Sequence, residues 1–405
     1  MRTGLDRLPS LPSVLRSLQA QRVGLLAHAP SVNRDLLHAN LVLAAAGVRP
    51  RRIFGPEHGF GGEAQDMIGV PHATDPISRA PIVSLYGDQP TALSPSAEHL
   101  DDLDVLLIDL CDVGSRYYTF VWTALLAVRA AARCRVRCIL LDRPNPIGGD
   151  PAHAEGRPQR PGFLSFVGLE PIPVRHALTA GELVTEMVVR DGLSVGPDEA
   201  LDVIAVQGWD RSSYADAWDR PFVLPSPNMP TLDTALVYPG GCLIEGTNLS
   251  EGRGLTRPFE TFGAPWLDGF RLARDLAALR LRGFVPRPVT FQPTFHKHAQ
   301  RLCGGVQIHV TERSTFRPVA TYVAMLALAH HQNPEAFRFR TERYEFIDHI
   351  PAIDLLTGAS DVRNAIEHHA APADVMQLAC PVDPGYADLH AHAVARVQSM
   401  DRGRA

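Results

Sequence analysis

Long apolar runs are missing from this chain. The longest near its amino terminus, Leu41 to Val48, is far short of the roughly 20 residues a membrane-spanning helix needs. Residues 1–20 carry charges at Arg2, Asp6, Arg7 and Arg16 and prolines at 9 and 12, so they contain no signal-peptide core. A cytoplasmic location without a membrane partner is the expectation. Cysteine is scarce: Cys111, Cys134, Cys138, Cys242, Cys303 and Cys380 do not make a disulfide framework. Cys134 and Cys138 are four apart, but no second Cys/His pair stands at zinc-like spacing, so they read as ordinary thiols. Basic charge is not in excess. A net charge of -5 argues against a nucleic-acid partner, which calls for a basic face.

Three signature loops are also absent. Ala27-His28-Ala29-Pro30-Ser31 stands where a dinucleotide-binding fold would carry Gly-x-Gly-x-x-Gly, so no dinucleotide is expected. There is no Walker-type phosphate loop. There is no Gly-x-Ser-x-Gly nucleophile elbow either. No cofactor and no resident metal are expected, and the expected partner is a small-molecule substrate.

What is present is ordinary globular composition, 45% hydrophobic and 20% charged, in 405 residues, enough for two domains. Apolar runs at 22–29, 51–56, 81–86, 104–110, 137–142 and 201–206 read as strands. Helices are expected from an Asn33 or Ser31 cap to about Ala46, over Arg116–Arg133, and over 180–191 behind the capping box Thr179-Ala-Gly-Glu182. Strands alternating with helices predict an α/β fold with a doubly wound parallel sheet. From about Trp209 the texture turns to Pro, Gly, Asn and Thr. A second, smaller α/β domain is placed at 220–405, after a first domain at 1–219. Its expected elements are a helix near 268–281, strands near 288–295 and 305–311, a helix at 318–331 and a helical tail.

Four of the strands run into polar residues: Glu57-His58, Tyr86, Asp109 with Asp112, Arg116 and Tyr117, and Asp142-Arg143-Pro-Asn145. Parallel strands point their carboxyl ends one way, so their exit loops should share one rim, where such sheets bind ligands. Glu57 sits among glycines 55, 59, 61 and 62, which allow close backbone approach. A carboxyl group in a closed cleft has its neutral form favoured, as a general acid requires. Asp109 and Asp112 could share one site, or Asp112 could cap a helix while Asp109 pairs with Arg116. Asp142 to Pro146 could equally be a structural turn. Glu245, Asn248, Glu251, Arg253, Arg257 and Glu260 crowd sixteen residues, and arginine forks suit a sugar bearing a carboxylate. His296-Lys-His298 forms a weaker cluster.

These motifs resemble the exo-acting β-N-acetylmuramidases of the NamZ type, formerly a domain-of-unknown-function family. The matching blocks include Gly55-Pro-Glu-His-Gly-Phe60, Ser84-Leu-Tyr-Gly87 and Asp112-Val-Gly-Ser-Arg-Tyr-Tyr118. Leu141-Asp-Arg-Pro-Asn-Pro-Ile-Gly-Gly149, Pro225-Ser-Pro-Asn-Met-Pro-Thr231 and Glu245-Gly-Thr-Asn-Leu-Ser-Glu-Gly-Arg-Gly254 follow in order, over about 20–370 in all. The resemblance implies a Rossmann-like domain, an active site between two domains, and removal of terminal N-acetylmuramic acid from the non-reducing end of peptidoglycan fragments. It makes Glu57 the first catalytic carboxyl. Two blocks depart from the family pattern: His28-Ala-Pro-Ser31 after the first strand, and Ala64-Gln-Asp66 after the Glu-His-Gly motif.

The expected catalytic set is Glu57 and His58, with a second carboxylate among Asp109, Glu245 and Glu251. The expected substrate-binding set is Tyr86, Asp112, Arg116, Tyr117, Asp142, Arg143, Asn145, Asn228, Asn248, Arg253 and Arg257. Arg116, Arg253 or Arg257 should meet the lactyl carboxylate of muramic acid. Two other readings are a sugar-binding protein that lost its chemistry, and a metal-assisted hydrolase using Asp109, Asp112 and His58.

Overall fold

The computed structural model describes residues 1–62, 64 and 73–403. Of the second departing motif, Gln65 and Asp66 lie outside the described residues.

A seven-stranded sheet organises the first half. Its strands are β1 (Val23–Ala27), β2 (Arg52–Gly55), β3 (Ala73–Thr74), β4 (Pro81–Ser84), β5 (Val105–Asp109), β6 (Arg137–Leu141) and β7 (Leu201–Ile204), in spatial order β3-β4-β2-β1-β5-β6-β7. All neighbours pair in parallel except β3, which runs antiparallel to β4. All five residues of β1 and of β5 are buried, as a sheet covered on both faces demands. The chain winds outward one way from β1 to β4 and the other way from β5 to β7, so direction reverses between β1 and β5.

The expected strands stand. The two-residue β3 falls in a stretch expected to be loop, because two exposed residues make no periodic signal. The first predicted helix is shorter than its pattern, α1 being Ala39–Ala45. His38 caps it, while the Asn33 side chain accepts from the amides of Asp35 and Leu37 and holds a turn instead. Helix α2 starts at Phe120 and ends at Arg133, not at Arg116, because the Arg116 amide donates to the Val174 carbonyl. Helix α3 (Ala180–Arg190) opens on the expected capping box of Thr179 and Glu182.

The second half packs α4 (Leu232–Gly241), α5 (Gly269–Ala278) and α6 (Pro318–Gln332) against an antiparallel sheet ordered β8-β10-β9, built from β8 (Thr261–Ala264), β9 (Phe284–Phe291) and β10 (Cys303–Val310). The two expected strands sit a few residues earlier than predicted. The sequence reading missed β8, hidden in the glycine- and proline-rich stretch. One apolar core runs unbroken from Leu106 and Trp122 through Leu236 to Val306 and Leu326. A smaller cluster of Leu5, Leu25, Val42 and Leu107 covers the other face of the first sheet. The last helix, α7 (Tyr386–Arg402), returns to pack on α3 and beside β7, and Arg7 pins it through Asp401 at 2.6 Å. That tail, assigned from sequence to the second domain, therefore rests on the first. Among the described residues no helix is long and apolar enough to cross a membrane.

Candidate active site

Glu57 is placed by the exit of β2. The chain turns back at once, with His58 at φ +68° and the His58 Nδ1 2.9 Å from the Ala64 carbonyl oxygen. That turn aims the Glu57 side chain at the start of α2. There the Thr119 hydroxyl donates to Glu57 Oε2 at 2.7 Å, and Glu57 is 5% exposed. Tyr117, Tyr118, Thr119 and Phe120 continue the wall; Phe120 meets the His58 and Tyr118 rings edge-on.

The opposite wall comes from the segment after α4. Gly252 (φ +79°) adopts a left-handed backbone, and a Cβ there would lie 2.4 Å from the Thr261 carbonyl oxygen, so only glycine lets this segment lie flat on β8. The fold brings Glu245, Arg253 and Phe259 to face Glu57 across a narrow cavity also lined by Ser226, Asn228, Tyr238, Tyr344 and Glu345.

Arg253 is the hub of that wall. Its Nη2 donates to Glu245 Oε1 at 2.6 Å and its Nε to Glu251 Oε1 at 3.1 Å. Its guanidinium lies 5.4 Å from the Phe259 ring centre. Glu245 also accepts from the Tyr344 hydroxyl at 2.8 Å. Glu251 is wholly buried behind this layer, with Lys297 Nζ and His296 Nδ1 each 3.0 Å away. Burial opposes its charge, but Lys297, His296 and Arg253 outweigh burial and hold its carboxyl far below the ordinary range. Lys297 is the single lysine of the sequence. Arg253 and Lys297 thus offset Glu245 and Glu251 in this wall, while Glu345 adds a further carboxylate to the cavity.

Several expected residues lie elsewhere. Asp109 is wholly buried and gives both oxygens to Arg143, at 2.5 and 2.8 Å. It pairs with Arg143, not Arg116, because β5 and β6 are neighbours and end side by side. Arg116 is buried against the carbonyls of Arg157, Ile172 and Leu356, where it ties loops together and is out of a ligand's reach. Burial pulls its pKa down to about 10. Asp142 accepts from the Thr179 hydroxyl and the Gly181 amide at the start of α3, and burial beside Glu182 pushes it up to about 7. Asn145 bonds Leu178 and Ile147 and makes the structural turn. Asn248 bonds Ala336 and Arg338, away from the cavity. Arg257 is half-exposed near Asp233 and Glu260. Asp112 accepts from Gly114 and His176 and faces a neighbouring crevice with Arg143. Tyr86 reaches the cavity through Glu345, to which its hydroxyl donates at 3.3 Å. Asp109, Asp112 and His58 have these separate partners, and among the described residues no three His, Cys, Asp or Glu side chains cluster as metal ligands.

The sequence reading passed over Glu345 and Thr119. Glu345 stands between Tyr344 and Phe346 in a tight turn, with φ +43° at Glu345 and +73° at Phe346. An acidic residue between aromatics in an aperiodic stretch was its signal. Thr119 carried none, since a threonine ahead of a helix reads as a cap.

Two family models match this chain in succession. The model of the amino-terminal part of the exo-β-N-acetylmuramidase NamZ matches residues 23–233, and that of its carboxyl-terminal part matches residues 236–382. The peptidoglycan β-N-acetylmuramidase NamZ of Bacillus subtilis is 38% identical over 377 residues, 93% of this chain and 86% of that protein. A crystal structure of a DUF1343 family protein from Bacteroides fragilis superposes with a TM-score of 0.81 at 27% identity, covering 100% of this chain and 98% of that one. A second such protein from the same organism, at 24% identity and a TM-score of 0.67, shares the fold over the same spans.

Proposed function

Because this chain belongs to the NamZ exo-β-N-acetylmuramidase family, we propose that it is a glycosidase removing terminal N-acetylmuramic acid from the non-reducing end of peptidoglycan fragments. The observation that carries this reading is the meeting of Glu57 and Glu245, from far apart in the chain, across one narrow cavity. A division at residue 219 puts one on each side. Glu57 is our general acid: its proton goes to the glycosidic oxygen as the bond from that oxygen to the sugar's anomeric carbon breaks, and a water oxygen then bonds that carbon while the water's proton passes to a carboxylate of the pair. Thr119 holds the acid in place. Glu245, oriented by Arg253 and Tyr344, is our second carboxylate. Glycosidases work with such a pair, and the separation sets whether configuration is retained or inverted.

Of the three arginines considered for the lactyl carboxylate, Arg253 lines the cavity, and we assign it that contact. The test is hydrolysis of a chromogenic N-acetylmuramic acid glycoside by wild type and Glu57→Gln. General acid catalysis contributes about 10²- to 10⁴-fold, so a loss of that order is expected. Full activity in the variant would reject the assignment.

A further inference from the structure

Beside the hydrolytic cavity lies a second crevice that shares no lining residue with it. It opens between the exits of β1 and β5, where the winding of the sheet reverses. Diverging loops leave a gap there in any open parallel sheet, and such gaps bind ligands. In this chain the missing glycine-rich turn removes the usual phosphate-binding backbone. Pro30, Val32, Leu36, Pro144 and Phe222 make the walls apolar instead.

Three lining side chains keep polar atoms without partners. Asp112 Oδ1 accepts nothing, although its side chain is 6% exposed. Arg220 gives Nη2 to Asp6, while Nε and Nη1 donate to nothing, at 8% exposure. The Trp218 indole N–H is also unpartnered. A buried polar group without a partner is unfavourable until something satisfies it. The crevice is not built for a strong anion. Asp6 offsets Arg220, Asp109 offsets Arg143, and burial keeps the Cys111 thiol protonated by pushing it up to about 12. What remains unmet is one acceptor and a small group of donors against apolar walls. A secondary amide answers both, with an oxygen that accepts twice and an N–H that donates once.

We propose that this crevice is a second binding site that takes a secondary amide bearing a small apolar group, separate from the site of hydrolysis. Its carbonyl oxygen meets Arg220 and Trp218, its N–H meets Asp112, and its methyl or methylene faces the prolines. The proposal rests on the peptidoglycan reading for its two sources of that amide: the acetamido arm of an amino sugar, or the peptide stem of a muropeptide.

Two probes distinguish them by isothermal titration: methyl N-acetyl-β-glucosaminide, and the short peptide N-acetyl-L-alanyl-D-isoglutamine. Val223 also lines the crevice, so Val223→Trp fills it, while Trp218→Phe keeps an aromatic ring but removes the N–H. Because that N–H has no partner in the protein, Trp218→Phe should leave folding intact. We expect one probe to bind wild type, about tenfold more weakly to Trp218→Phe, with binding abolished by Val223→Trp. Hydrolysis of the chromogenic glycoside should stay within about twofold, since neither residue lines that cavity. Saturation by the saccharide assigns the site to a sugar, and by the peptide to the stem. Binding of neither probe, equal binding in all three proteins, or purely competitive inhibition of hydrolysis by the bound probe would each overturn the proposal. Inactivity on the glycoside beside normal probe binding would instead overturn the hydrolase reading alone.

Discussion

Replacing Arg253 with methionine keeps an unbranched apolar side chain on Phe259 and removes the guanidinium that Glu245 and Glu251 share. Glu251 is wholly buried, and Glu245 has only the narrow cavity to turn to. Removing one partner of a buried ion pair costs about 3–5 kcal/mol, mostly from the charge left behind. Glu251 keeps Lys297 and His296 at 3.0 Å, so the stranded charge is mainly that of Glu245, which keeps the Tyr344 hydroxyl. The loss should therefore sit at the low end, about 3 kcal/mol. For a chain of 405 residues the entropy of unfolding is about 0.85 kcal/mol per K, so the melting midpoint should fall by about 3–4 °C at pH 7. Adding Glu245→Gln removes that charge and should recover about half the loss, giving a clear non-additive cycle. Thermal denaturation followed by circular dichroism on the four proteins measures both quantities. A midpoint within about 2 °C of wild type, or a strictly additive double variant, would refute the idea that Arg253 binds this wall together.

Asp109→Asn leaves the Arg143 guanidinium buried without its counter-charge, so stability should drop by about 3–5 kcal/mol. Activity per folded molecule should persist below the new midpoint, and a loss of turnover in protein shown to be folded would restore Asp109 to the catalytic set. Asp142 is raised from an ordinary 3.8 to about 7, so the folded state holds its proton longer than the unfolded chain does. Its contribution is fully present below about pH 4 and is lost as pH rises through about 7, so a pH series of midpoints should fall between about pH 4 and 7 in wild type and flatten in Asp142→Asn. Parallel curves would reject this. Swapping the N-acetylmuramic acid glycoside for its glucosamine counterpart, which lacks the lactyl carboxylate, should cost roughly 100-fold or more in kcat/KM. Equal rates on the two sugars would remove Arg253 from its proposed role.

Much of the fold was legible because burial writes itself into sequence as runs and periods. Val105 to Ile108 and Ile139 to Leu141 are apolar without alternation, which only a strand covered on both faces tolerates. Thr179 and Glu182 announced α3 because a capping box is local chemistry. The sequence also marked Glu57, His58, Tyr117, Asn228, Glu245 and Arg253, all of which line the cavity.

Partner choice was a different matter. Asp109, Glu245 and Glu251 are equivalent letters in a sequence. Lateral pairing of β5 with β6 gives Asp109 to Arg143, and a fold bringing Lys297 and His296 back under residue 251 turns Glu251 into an anchor. Glu345 entered the cavity through a turn with positive φ at two residues, a conformation side chains disfavour and propensity does not forecast. Local patterns decide which segments become strands and helices, since burial and hydrogen bonding act over a few residues. Which charge meets which depends on contacts tens to hundreds of residues apart. For buried ions the low dielectric makes that choice decide between a structural pair and a reactive group.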